Sequence, residues 1–196
     1  MSIVGKTVIT CFGDSITEGI GACPMNEMSY PARLGELLGD GYTVINTGAS
    51  GMTLQKEGDY PYFKEPRYEK SFETPPDVVI IMMGTNDSKD WNWNKERYFA
   101  ELCEIVERFM CLPSHPKVII SSCCTAFSPI DTINNDVISG DMRSVQKKAA
   151  EKYGLVFFDL TEKTKDHPEW FCDTIHPNND GYFRIAGMLA DVIKGM

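Results

Sequence analysis

Ser15 lies in "CFGDSITEG", directly after a hydrophobic run and inside a tight Gly-Asp-Ser turn. A hydroxyl there has two uses. It can cap the helix that follows, because serine is favoured at an N-cap. Or it can be a nucleophile, which requires a base, a residue that orients the base, and donors for an oxyanion.

The chain has only three histidines from which to draw a base. His115, in "LPSHPK", stands between prolines ahead of a strand, at the opposite end of the sheet from Ser15. His167 precedes a proline in a charged loop, and both read as ordinary loop residues. His176, in "CDTIHPNNDGY", follows Asp173 by three positions. At that spacing a carboxylate can turn back to accept the ring Nδ1–H, which leaves Nε2 free to take a proton from a hydroxyl. The same pair could equally brace a loop.

Oxyanion donors have candidates too. Attack on an ester creates a negative oxygen that preorganised neutral donors stabilise. Gly51 in "ASGMT" lets a backbone N–H approach a ligand closely, Asn86 in "GTND" brings a side-chain amide, and Ser15 adds its own N–H. Taken singly, Gly51 is a turn glycine and Asn86 a turn or cap residue.

Hydrophobic periodicity supplies the elements that would position these groups. "KTVITCF", "YTVIN", "PDVVIIMMG", "PKVIISS" and "GLVFFDL" read as buried strands. Helical spacing is expected from Ser29 to Leu38, from Lys95 to Met110, from Asn135 or Asp136 to Tyr153, and from Asn179 to Ile193. Strands alternating with helices imply a three-layer α/β/α sandwich with a five-stranded, mostly parallel sheet of flavodoxin-like type, in one domain spanning residues 1–196. In such folds sites form beyond the carboxyl ends of strands. Ser15, "NTGASG", "GTND" and Cys123-Cys124-Thr125 all follow strand ends. Connections over about 50–76 and 160–178 are expected to shape a pocket; the first carries Tyr60, Tyr62, Phe63, Tyr68 and Phe72.

Composition limits the partners. With 196 residues, 42% hydrophobic and 24% charged, the chain is an ordinary globular protein. A formal charge of −9 and the lack of a basic stretch argue against nucleic acid. Neither a signal peptide nor a membrane span can be carved from the sequence, so no membrane partner and a cytoplasmic location are expected, although a trimmed signal would leave the same chain. Seven cysteines without paired Cys-x-x-Cys units suggest reduced thiols rather than a zinc site. The vicinal Cys123-Cys124 pair could respond to oxidation. A homo-oligomer stays open.

The four blocks "GDSITEG", "NTGASG", "GTND" and "DTIHPN" occur in order along nearly the whole chain. In this the sequence resembles the GDSL-type, or SGNH, hydrolases. The resemblance implies Ser15 as nucleophile, Gly51 and Asn86 as oxyanion donors beside the Ser15 N–H, His176 as base and Asp173 as its orienter. It implies no metal and no cofactor. The first block departs from the family's usual pattern by carrying Ile16 where leucine is common, which leaves Ser15 untouched. Asp14 and Asp87 are expected to brace their turns rather than to do chemistry.

The substrate is a small-molecule or oligosaccharide ester on this reading. Trp91 and Trp93 stand next to the "GTND" block, and with Tyr60 they could stack on sugar rings or simply pack a loop. "GTNDSKDWNW" is similar to a sub-group linked to carbohydrate O-acetyl esters, which makes a carbohydrate acetylesterase the leading expectation. A general short-acyl esterase, thioesterase or lysophospholipase is the alternative within the fold. A carbohydrate-binding module without catalysis is the remote one. A phosphate-cradling, flavodoxin-like loop fits poorly, because Asp14 stands where an anion would have to sit.

Overall fold

The computed structural model describes residues 5–128 and 132–196. Five strands form the sheet: β1 (Thr7–Gly13), β2 (Tyr42–Asn46), β3 (Val78–Met82), β4 (Lys117–Ser121) and β5 (Val156–Phe158). Their spatial order is β2-β1-β3-β4-β5 and every pairing is parallel. The helices are α1 (Ser15–Glu18), α2 (Met25–Met28), α3 (Tyr30–Leu38), α4 (Pro66–Glu73), α5 (Lys95–Met110), α6 (Asn135–Val137), α7 (Arg143–Tyr153), α8 (Leu160–Thr164) and α9 (Asn179–Lys194).

Alternation along the strands sends side chains to two cores. Phe12, Val79, Ile81, Val118 and Ile120 pack with Leu102, Val106 and Phe109 of α5 and Ala149 of α7. Ile9, Cys11, Ile80 and Ile119 pack with Leu34 of α3 and Ile185 and Leu189 of α9. Both faces of the sheet are covered, so its strands can be continuously apolar; β3 is buried at every position. The arrangement is the expected three-layer α/β/α sandwich.

The chain leaves β1 for β2 on one side and later returns to β3 on the other. Between β1 and β3 the winding therefore reverses, opening a crevice at the carboxyl ends of those strands. Ser15 follows β1 there, and Asn86 follows β3.

Four elements differ from the sequence reading. The 50–76 connection holds a 3-10 turn at Tyr62–Lys64 and the helix α4, whose first residue, Pro66, has φ preset for a helix. Tyr62 and Tyr68 go into the core, edge-on to Phe12 at ring-centroid distances of 4.7 and 6.1 Å, rather than lining a pocket. The 160–178 connection likewise contains α8 and a 3-10 turn at Pro168–Trp170. β5 stops at Phe158 because the Asp159 carboxylate accepts the Glu162 N–H and starts α8 at once. The helix expected from Asn135 or Asp136 to Tyr153 does start at Asn135 and end at Tyr153, with Gly154 in the left-handed conformation, but a π segment at Ile138–Met142 divides it into α6 and α7.

The seven cysteines are free thiols, and Cys11, Cys103, Cys123 and Cys124 are buried. Burial pushes the Cys11 thiol up to about 12 and that of Cys124 well above its ordinary range. Among the described residues no helix is long and apolar enough to cross a membrane.

Candidate active site

The turn after β1 settles which residue caps the helix. Asp14 is the N-cap, with Oδ1 accepting the Ile16 N–H at 3.0 Å, and Ser15 is the first helical residue. Capping is thus taken over by the neighbour, leaving the serine hydroxyl free for another partner. That partner is His176, with Ser15 Oγ 2.9 Å from Nε2. The first N–H groups of a helix have no carbonyl within it to meet, so the Ser15 N–H can serve a ligand. Asp14 is fully buried, and burial raises its carboxyl above the usual range against the pull of the Ile16 N–H and Thr85.

The candidate base stands on a loop between α8 and α9. His176 Nδ1 lies 2.7 Å from Asp173 Oδ2, while Asp173 Oδ1 accepts the N–H groups of Ile175 at 3.1 Å and His176 at 2.7 Å. One carboxylate therefore sets both the loop's backbone and the ring's orientation. Partial burial works against the Asp173 charge, but the His176 N–H, the imidazole and the Ile175 N–H outweigh it and hold the carboxyl below its ordinary value. Thr174, between them, has φ of +73°. Its carbonyl accepts the Phe127 N–H at 2.9 Å, which ties this loop to the segment after β4.

Gly51 and Asn86 come from the ends of β2 and β3. Residues 47–49 are fastened to β1 by the Thr47 N–H to Cys11 O at 3.0 Å and the Ala49 N–H to Gly13 O at 3.1 Å. Gly51 has φ of +79°, and a Cβ there would meet only open space, so the backbone conformation and not crowding calls for glycine. The Asn86 amide donates one hydrogen to Met52 O at 3.0 Å. An NH2 group has a second hydrogen to give. Asp87 is completely buried and accepts the N–H groups of Leu54 at 2.9 Å and Gln55 at 2.8 Å, so it braces the turn as its sequence position suggested. Burial pushes its carboxyl up to about 7.

The three candidate sugar-facing aromatics separate. Tyr60 and Trp91 are about 60% exposed. Trp93 instead packs on the core against Tyr98, with ring centroids 5.3 Å apart. A cavity of about 320 Å3 runs from Met52, whose carbonyl meets Asn86, to Tyr60, and includes Asp59 and Lys64. Asp59 links this cavity to the segment that carries Trp91: it accepts from Asn92 Nδ2 at 2.8 Å, Lys89 Nζ at 3.2 Å and Trp91 Nε1 at 3.4 Å. Asn92 in turn donates to Asn86 O at 2.9 Å. Asp59 and Asn92 were missed in the sequence because no motif singles them out.

The other histidines lie elsewhere. His115 precedes β4, at the amino end of the sheet. His167 pairs with Glu169 at 2.9 Å and stacks on Trp170, a partnership that its charged-loop context did not reveal. Among the described residues, no cluster of three or more His, Cys, Asp or Glu side chains could hold a metal ion.

Comparison with known proteins fixes the family. Residues 11–184 match the GDSL-like lipase/acylhydrolase family. The chain belongs to that family. An acetylxylan esterase of Xylanibacter ruminicola is 34% identical to this acylhydrolase-family chain over 208 aligned positions, covering 95% of the chain and 43% of that protein. The chain thus spans less than half the length of that curated relative. Solved structures share the fold: a putative arylesterase from Agrobacterium tumefaciens has a TM-score of 0.77 and 24% identity, covering 96% of this chain and 99% of its own. A carbohydrate acetylesterase from Sinorhizobium meliloti has a TM-score of 0.72 and 22% identity, covering 97% and 99%.

Proposed function

We propose that the chain is a serine carboxylic ester hydrolase that removes short acyl groups, chiefly O-acetyl groups from carbohydrates. The observation that carries this reading is the continuous relay from Ser15 Oγ to His176 Nε2 at 2.9 Å and from Nδ1 to Asp173 at 2.7 Å. A hydroxyl, an imidazole and a carboxylate in that order form the charge-stabilised base arrangement of acyl transfer.

In the proposed reaction Ser15 Oγ attacks the ester carbon and passes its proton to His176, whose imidazolium Asp173 stabilises. The Ser15 and Gly51 N–H groups and the Asn86 amide take the developing oxyanion. His176 then protonates the leaving alcohol as the acyl-enzyme forms. Water, activated by the same imidazole, attacks that intermediate, and the acid leaves with Ser15 restored.

The carbohydrate half of the proposal is supported by the 34% identical acetylxylan esterase and by the exposed Tyr60 and Trp91 at either side of Asp59. Exposed aromatic faces suit sugar rings, which present C–H groups on one side and hydroxyls at the edge.

The test is acid release from acetylated xylo-oligosaccharides, O-acetyl sialic acid and p-nitrophenyl esters of increasing chain length, for wild type, Ser15→Ala and Trp91→Ala. Acetate release from sugars well above the simple esters, lost in Ser15→Ala, is expected. Trp91→Ala should raise KM for the oligosaccharide about 5- to 20-fold, in line with loss of one aromatic contact, and leave p-nitrophenyl acetate turnover within about twofold. A preference for long acyl chains would move the function to lipids or thioesters, and release that survives in Ser15→Ala would overturn the mechanism.

A further inference from the structure

Glu18 lies three residues after Ser15, on the same single turn of α1. Its side chain is only 18% exposed and both carboxylate oxygens are engaged. Oε2 accepts the Ser50 N–H at 2.7 Å, directly before Gly51. Oε1 accepts Arg67 Nη1 at 2.7 Å, and the same guanidinium nitrogen also donates to the Gly48 carbonyl. The Glu18 backbone closes the arrangement from the other side. A Cβ on Gly48 would lie 2.2 Å from the Glu18 nitrogen, so the loop and the helix turn are in direct backbone contact.

From this geometry we infer that Glu18, with Arg67 behind it, is a positioning residue for the oxyanion site. It locks residues 48–51 to the turn that carries the nucleophile. The charged clamp adds to the Thr47 and Ala49 hydrogen bonds to β1 and carries the tie on to Ser50, next to Gly51, so it helps to set the spacing between the Ser15 and Gly51 N–H groups. A carboxylate suits the task because it can accept from a backbone N–H and a guanidinium at once, and charge-assisted hydrogen bonds are shorter and stronger than neutral ones. Placing donors accurately matters more than having them. Oxyanion stabilisation depends on donors fixed where charge develops, and a misplacement on the order of 1 Å costs roughly 100-fold in rate. Glu18 itself touches no reacting atom.

The inference rests on the proposed roles of Ser15 and Gly51, so the experiment separates the two. Wild type and Ser15→Ala are compared on p-nitrophenyl acetate, which tests the nucleophile alone. Glu18→Met and Glu18→Gln then form a pair of nearly equal size, of which only glutamine keeps an acceptor for the Ser50 N–H. The expected result is a fall in kcat of about 10- to 100-fold for Glu18→Met with KM within about twofold, and a value within about fivefold of wild type for Glu18→Gln. A boronic acid that forms a tetrahedral adduct on Ser15 should lose affinity for Glu18→Met by the same factor, a readout that a merely structural role would not move.

Should Glu18→Met not fold, Arg67→Met carries the test, with a fall in kcat at unchanged KM. Equal activity of the two Glu18 variants with a lowered melting temperature only would overturn the inference, as would Arg67→Met at wild-type kcat. Activity that survives in Ser15→Ala would instead overturn the underlying mechanism.

Discussion

The two halves of the candidate site are built by opposite means. Ser15 and Asn86 are 4% and 8% exposed, and each stands on a short turn immediately after a central strand. Fully buried carboxylates back them, Asp14 at the serine and Asp87 at the asparagine. Asp173 and His176 instead occupy a loop, with side chains 43% and 20% exposed, in which the Asp173 carboxylate accepts from the Ile175 and His176 N–H groups and meets the imidazole. In the proposed mechanism the sheet thus fixes where the ester is attacked, whereas the base is brought to it by local loop chemistry. Chemistry and stability should therefore separate cleanly on the loop side and remain entangled on the strand side.

The largest effect tests that separation. His176→Ala should lower kcat at least about 10⁴-fold, in the range found when a base is removed from such a relay. The ring is partly exposed and supports no buried hydrogen bond other than the one to Ser15, so the melting temperature should move by no more than about 2 °C. Steady-state kinetics and a thermal melt on the same preparation give both numbers. A melt lowered by 8 °C or more, which is about 2 kcal/mol or more for a chain of this size, would mean that the loop is a structural keystone after all.

Asp87 gives the opposite pattern. Its Oδ1 and Oδ2 each accept a backbone N–H, from Gln55 and Leu54, in complete burial. In Asp87→Asn one of those N–H groups faces an amide NH2 instead of an oxygen, a loss of about 1–3 kcal/mol for an unsatisfied buried donor. The pH dependence has a definite sign. Burial lifts the folded-state carboxyl from 3.8 to about 7, against the opposing pull of the two N–H groups, so the folded protein holds this proton where the unfolded chain has released it. The stabilisation from that proton is complete below about 4 and is lost as pH rises through about 7. The variant cannot titrate here, so its deficit relative to wild type should shrink as pH goes from 4 to 8. Melting temperatures of both proteins across that range check it; a deficit that widens toward pH 8 would contradict the burial-dominated account.

The same contrast explains what was legible in the sequence. β1, β3 and β4 could be read because a central parallel strand is apolar on both faces, and "PDVVIIMMG" admits little else. The nucleophile, base and oxyanion candidates were legible because each falls in a short block past a strand end. The cap was not: serine and aspartate both suit an N-cap, and only the observed bond from Ile16 N–H to Asp14 assigns it. α4 was hidden because aromatic residues that point to the core and aromatic residues that would line a cleft have the same composition. Tyr62 and Tyr68 turn inward under Phe12 while Tyr60 stays out, a distinction made by the tertiary fold. Trp91 and Trp93 divide in the same way. Glu18 did carry a weak signal, being one helical turn from Ser15, but its partners Ser50 and Arg67 are 32 and 49 residues away and cannot be read from periodicity.

The smallest effect probes the loop's own backbone. Thr174 is a β-branched residue at φ of +73°, and its hydroxyl oxygen is buried without a hydrogen-bond partner among the described residues. A left-handed conformation costs a non-glycine residue about 1–2 kcal/mol. Thr174→Gly removes that cost but adds about 0.5–1 kcal/mol of unfolded-chain freedom, so a net gain of about 0.5–1 kcal/mol is expected. For a chain of this size that is a rise of about 1–4 °C in melting temperature. The kinetic result carries more information than the melt. If the two N–H bonds to Asp173 Oδ1 are sufficient to hold His176, kcat should stay within about threefold of wild type. A stabilised variant with a tenfold lower kcat would show that the stiffness of Thr174 is needed to aim the imidazole at Ser15. The loop would then resemble the strand side more closely than its exposure suggests, with its strain retained because it orients the base.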